Sequence, residues 1–212
     1  MNIHPEFPYQ LYLVISEKDC PGKNFLKVAE EAIIGGVDLI QLREKTVPTK
    51  DFLQKALDLM EITEKYNIPL IINDNAEVAE KSGASGIHVG NSDRSPCSLR
   101  KIPFFRNKII GYSIEYLSQL ENQQTKASDY LGISPIFSTE TKKDTVTEWG
   151  PEGLSLIRSI TDKPLVAIGN INMENAEMIM QAGANSLAVV SAICSAENPQ
   201  KAAYQIKNKI LK

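Results

Sequence analysis

Short apolar runs and amphipathic segments alternate along this chain eight times, and that alternation leaves few folds open. Runs of strand length fall at 11–15, 37–43, 69–73, 86–89, 108–113, 130–133, 164–168 and 186–190. Helical patterns lie between them at 24–34, 49–66, 76–82, 115–126, 151–160, 172–182 and 198–210, with a weaker one at 95–102. Eight strand–helix pairs suit an α/β fold closed into a single (β/α)8 TIM barrel, one domain over residues 1–212. A doubly wound open sheet alternates in the same way and stays open as a second architecture, although no GxGxxG follows the first strand.

Internal similarity supports the count of eight. The segments starting at Gly35, Ser82, Lys126 and Gln181 share one pattern, a helix end feeding an even-numbered strand, and their starts are 47, 44 and 55 residues apart. Each interval is about two βα units. One connection is long: the 17 residues 134–150 are polar and rich in Ser, Thr and Lys, which fits a lid over the catalytic rim better than slack.

With 42% hydrophobic and 23% charged side chains, 212 residues can bury one large core. A formal charge of −3 leaves no broad basic surface, so no nucleic-acid partner is expected and any anion site must be local. No apolar run is long enough to span a bilayer, and residues 1–10 lack a basic region leading into an apolar core. The expectation is a soluble, cytoplasmic protein with no membrane partner and a flexible tail over 1–10. Cys20, Cys97 and Cys194 show neither CxxC nor metal spacing, which fits reduced thiols.

The residues that promise chemistry close the apolar runs. Gln41, Arg43 and Lys45 share one face of their strand while Ile40 and Leu42 pack the other. Asn73 and Asp74 close one later run, and Asp93 follows another. Two carboxylates beside such a cationic face call for a divalent cation between them and an anion, here read as a magnesium pyrophosphate site. Asp74 also has a plainer reading, in which it or Asn75 caps the next helix. The lid adds hydroxyls at Thr139 and Thr141 and ammonium groups at Lys142 and Lys143, donors that can fold over a phosphate.

Six motifs together resemble the thiamin-phosphate synthase (thiamine-phosphate pyrophosphorylase) family and occur in that family's order. They are 41–45, 71–74, 86–90 with Asp93, 132–137 running into 139–142, 166–169 and 188–193, and the likeness extends over about residues 11–208. The resemblance implies a Mg2+-dependent coupling of a hydroxymethylpyrimidine pyrophosphate with a hydroxyethylthiazole phosphate, giving thiamin phosphate and pyrophosphate. It implies that Asp74 and Asp93 bind the metal and that Gln41, Arg43, Lys45, Asn73 and Lys142 hold the pyrophosphate. Ser113 would sit near the pyrimidine, Thr139 and Thr141 would reach the thiazole phosphate, and Gly169 with Val190 and Ser191 would complete that second phosphate site. Arg43, Lys45, Lys142 and Ser113 would be the catalytic set, with small molecules the only required partners; outer helices leave room for a homo-oligomer.

The chain departs from the family pattern at three places. Asn170 replaces a second glycine after Gly169, Asn91 replaces the usual glutamine before Asp93, and Glu115 stands where many relatives carry histidine. Asparagine tolerates left-handed backbone, so Asn170 should reshape the second phosphate site without abolishing it. Alternation turns His88 toward the barrel interior, where a satisfied structural histidine is the plainer reading. Trp149 is expected to anchor the far end of the lid by packing. Two other functions stay open: a barrel epimerase or isomerase acting on a sugar phosphate, and a sensor that binds the precursors without turnover.

Overall fold

The computed structural model describes residues 6–138 and 147–211. Eight parallel strands close in sequence order: β1 Leu11–Ile15, β2 Leu39–Leu42, β3 Leu70–Asn73, β4 Gly86–Val89, β5 Ile109–Ile114, β6 Tyr130–Ile133, β7 Leu165–Ile168 and β8 Ser186–Val189. The seam pairs Leu11 with Leu187 and Leu13 with Val189, so no edge remains. Around the barrel run α1 Phe25–Ile34, α2 Thr49–Lys65, α3 Ala76–Ser82, α4 Pro96–Arg100, α5 Gln123–Ala127, α6 Gly150–Ile160, α7 Ala176–Gln181, α8 Ser191–Cys194 and α9 Pro199–Ile210.

Strand alternation creates two cores. On β1 the outward Leu11, Leu13 and Ile15 join the layer packed against the helices, whereas Tyr12 and Val14 turn inward. Leu39, Ile71, Tyr130, Val166 and Ala188 complete the interior with Phe7. These strands have apolar residues on both faces because both faces are covered.

The expected strands are all present, and three other expectations change. Residues 6–10 do not form a loose tail: Phe7 is 2% exposed and its ring lies 4.7 Å from that of Tyr130, plugging the end of the barrel opposite the site. The first five residues lie outside the described part. The helix expected at 115–126 is instead a 3-10 turn, Leu117–Glu121, followed by α5. The Gln119 side chain accepts from the Glu115 and Tyr116 amides at 2.7 and 2.8 Å, and Asn122 caps α5 on Thr125. These side chains offer the backbone local partners that compete with a continuous helix. Likewise 172–182 shortens to α7, because Asn172 and Asn175 bind nearby amides and hold 170–175 as a turn.

Candidate active site

The C-terminal ends of the strands surround a cavity of about 460 Å3, a volume suited to small-molecule substrates. Gln41, Arg43, Lys45, Asn73, Asp74, Asp93, Ser113, Gly169, Val190 and Ser191 all line it. Thr139, Thr141, Lys142, Lys143 and most of the expected lid lie outside the described residues. The ends of that segment are fixed: Ile136 donates its amide to Ile168 O at 2.8 Å, and Trp149 and Gly150 donate theirs to Pro135 O and Ile136 O at 3.0 and 2.9 Å. Trp149 packs on the core as expected.

The acidic and basic groups meet on one rim. The β2 turn carries Lys45 to an ion pair with Asp74, while Glu44 points away to Lys55 at 2.9 Å. Asp74 has φ 61°, a left-handed conformation that costs a non-glycine residue free energy, and its amide is held by His88 O at 2.8 Å. Helix capping does not explain this residue, since Asn75 caps α3 by accepting from Val78 N at 3.0 Å. Asp93 accepts from Gly90 N at 2.8 Å. Burial pushes its carboxyl above the ordinary range; the Gly90 bond and Lys45 oppose this, and the neighbouring Asp74 adds to it.

That arrangement is the test of the expected magnesium ion. Two neighbouring carboxylates, the one at Asp74 adding to the proton affinity of Asp93, would be relieved by a dication, and hard oxygen donors suit magnesium. No group of three His, Cys, Asp or Glu side chains that could hold a metal occurs among the described residues, so the remaining ligands would come from substrate phosphate and water. The Asn73 side-chain nitrogen is buried and has no hydrogen-bond partner among the described residues, a donor suited to a ligand oxygen.

The second side of the cavity is formed by Gly169 and Asn170 after β7 and by Val190 and Ser191 after β8. Gly169 has φ 117°, and a Cβ there would lie 2.8 Å from Ile136 N. Its close approach is therefore to the chain after β6. Asn170 adopts φ 51°, the left-handed region expected of an asparagine in place of glycine.

Three features escaped the sequence. Tyr12 and Tyr130 turn their hydroxyls into the cavity floor, where Tyr12 accepts from Gln41 Nε2 at 2.7 Å. His88 is satisfied, as its strand position suggested, but its partners include Tyr130 and the site residue Ser113. Asn91 and Glu115, two departures from the family pattern, form one hydrogen-bonded pair at 2.7 Å on the cavity wall. Inward strand parity could have placed both tyrosines; their pairing across the barrel had no local signal.

Fold and site define a (β/α)8 barrel protein whose strand ends gather cations, carboxylates and amide donors around one small-molecule cavity. The thiamine monophosphate synthase family model matches residues 11–193, and the chain belongs to that family. It is 43% identical to a thiamine-phosphate synthase of Albidiferax ferrireducens over 95% of this chain and 91% of that protein. A relative of the same description from Chloroflexus aurantiacus is 38% identical over 98% and 95%. The solved thiamine phosphate pyrophosphorylase of Pyrococcus furiosus superposes with TM-score 0.85 at 30% identity, covering 96% of each chain. A 3-hexulose-6-phosphate synthase structure, TM-score 0.67 at 15% identity, shares the barrel alone.

Proposed function

We propose that this chain is a thiamine-phosphate synthase, joining a hydroxymethylpyrimidine diphosphate to a hydroxyethylthiazole phosphate with release of pyrophosphate. Family membership supports the reaction. The observation that carries the site assignment is the meeting of Lys45, Asp74 and Asp93 on one rim beside Arg43 and Asn73. A sugar phosphate would not call for paired aspartates at such a place.

In this reading Asp74 and Asp93 hold magnesium, which when bound neutralises charge on the diphosphate. Arg43, Lys45, Asn73 and Lys142 bind the same diphosphate and stabilise the charge that builds as it departs. The carbon–oxygen bond breaks with its electron pair leaving on pyrophosphate, and the electron-rich aminopyrimidine spreads the positive charge at the methylene. The thiazole nitrogen lone pair then forms the new carbon–nitrogen bond. No proton moves, so neither a general base nor a protein nucleophile is required. Ser113 orients the pyrimidine, while Thr139, Thr141, Gly169, Val190 and Ser191 hold the thiazole phosphate. The protein's contribution is alignment and exclusion of water.

Incubation with both substrates and magnesium tests the proposal. Thiamine phosphate and pyrophosphate should form in equal amounts and cease with a chelator. Binding without turnover would make the chain a sensor, and neither binding nor turnover would remove the assignment altogether.

A further inference from the structure

A hydrogen-bond chain crosses the cavity floor and ends on Ser113. Gln41 Nε2 donates to the Tyr12 hydroxyl at 2.7 Å, and the Tyr12 and Tyr130 hydroxyls are 2.9 Å apart. Tyr130 lies 3.0 Å from His88 Nδ1, and His88 Nε2 lies 2.9 Å from Ser113 Oγ. Five strands each contribute one member, so closure of the barrel is what assembles it. Two glycines make room: a Cβ on Gly111 would lie 2.4 Å from His88 Nδ1 and 2.2 Å from Tyr130 Cζ, and one on Gly132 would lie 2.9 Å from His88 Cε1.

The chain has a direction. An amide NH2 can only donate, so Tyr12 accepts from Gln41 and passes its own proton to Tyr130. Tyr130 in turn donates to Nδ1, which leaves the His88 proton on Nε2 and aims it at Ser113 Oγ. Phenol–imidazole chemistry favours the same sense, because a phenol is the stronger acid and a bare imidazole nitrogen the stronger base. Burial pushes both phenols well up, so each keeps the proton the chain needs. With that tautomer Ser113 Oγ accepts from His88, which leaves the serine's own proton for a ligand in the cavity that Ser113 lines.

We infer that Tyr12 and Tyr130 are positioning residues that hold His88 as the Nε2-protonated tautomer, making Ser113 a hydrogen-bond donor that selects an acceptor atom, such as an aromatic ring nitrogen, on the pyrimidine. The inference rests on the proposed function, which supplies the place of Ser113 beside that ring. The polarity itself comes from the geometry.

The sequence holds two histidines, His4 and His88, so nitrogen NMR of the protein labelled with 15N-histidine reads the relay directly, with His88→Gln assigning the signals. The expected spectrum has the proton of His88 on Nε2. Gln41→Glu keeps the shape and, at a pH high enough to ionise the buried carboxyl, offers Tyr12 only acceptor oxygens, which turns every bond round and moves the proton to Nδ1. A wild-type ring protonated on Nδ1, or a tautomer indifferent to Gln41→Glu, overturns the inference. Tyr130→Phe should raise KM for the pyrimidine diphosphate about tenfold, the scale of one lost hydrogen bond, and leave KM for the thiazole phosphate unchanged. Equal changes in both, or in neither, also overturn it. Should Tyr130→Phe not fold, Tyr12→Phe is expected to give the same split at smaller size, with the same overturning results. A wild type that makes no thiamine phosphate defeats the proposed function, while the nitrogen spectrum still decides the relay.

Discussion

Replacing Asp93 with asparagine should push the free and the ligand-bound protein in opposite directions. The side-chain oxygen of asparagine can still accept from Gly90 N, at 2.8 Å in the wild type, so the turn is kept. What disappears is one of two neighbouring negative charges, of which Lys45 pairs with Asp74. Two unit charges 4 Å apart interact by about 1 kcal/mol in water and about 4 kcal/mol near a protein surface. The rim is partly solvated and Lys45 opposes the repulsion, so the lower figure applies, equivalent to a Tm rise of about 2–4 °C for a chain of this size. With magnesium and pyrophosphate at about 100 times the wild-type Kd, the wild type gains about 2.7 kcal/mol. A variant binding about a hundredfold more weakly gains about 0.4 kcal/mol, so the order of stability reverses. The effect also has a pH signature. The folded carboxyl titrates above the unfolded one, so the wild type loses stability as pH rises from about 4 through the folded value. Below the unfolded value both states are protonated and the penalty vanishes; the asparagine variant lacks this slope. Thermal unfolding with and without magnesium pyrophosphate, at acid and neutral pH, measures all of this. A lower Tm for the free variant, or an undiminished ligand shift, would refute the shared ion.

Lys45→Ala removes a cation from the rim and should weaken product inhibition by pyrophosphate about ten- to a hundredfold, the scale of a charged hydrogen bond; equal inhibition constants would exclude Lys45 from the diphosphate site. Phe7→Ala empties the plug beneath Tyr130 and should cost about 3–5 kcal/mol in urea unfolding, whereas a loss under about 1 kcal/mol would mean that residues 6–10 contribute little to the interior core. Gly169→Ala forces a Cβ to 2.7 Å from the Pro135 ring at φ 117°, for about 2–5 kcal/mol of destabilisation, and should raise KM for the thiazole phosphate more than for the diphosphate. A thiazole KM unchanged in a folded variant would separate this turn from the second phosphate site.

Much of this protein was legible in sequence because the governing signals are local. Period-two alternation is a property of five consecutive residues, and it put Ile40 and Leu42 outward and Gln41 inward, as found. The same regularity numbered eight strands and brought every described rim residue of the family motifs to the cavity. Helical pattern was less reliable where asparagine and glutamine side chains could serve the backbone. At 115–126 Gln119 reached back to two amides and Asn122 began a new helix, a choice that periodicity does not encode.

What the chain settles by itself is therefore the eightfold strand–helix alternation, the resemblance to its family and the identity of the rim side chains, since each follows from residue type and spacing along one strand or turn, while closure of the sheet is seen only in the structure. Only the tertiary structure decides that Asp74 takes a left-handed turn beside Lys45, that Phe7 closes the far end of the barrel, and that Gln41 reaches Ser113 through two tyrosines and a histidine. Those contacts join strands far apart in sequence, and their distances are fixed by the stagger and closure of the sheet rather than by anything a neighbouring residue can signal.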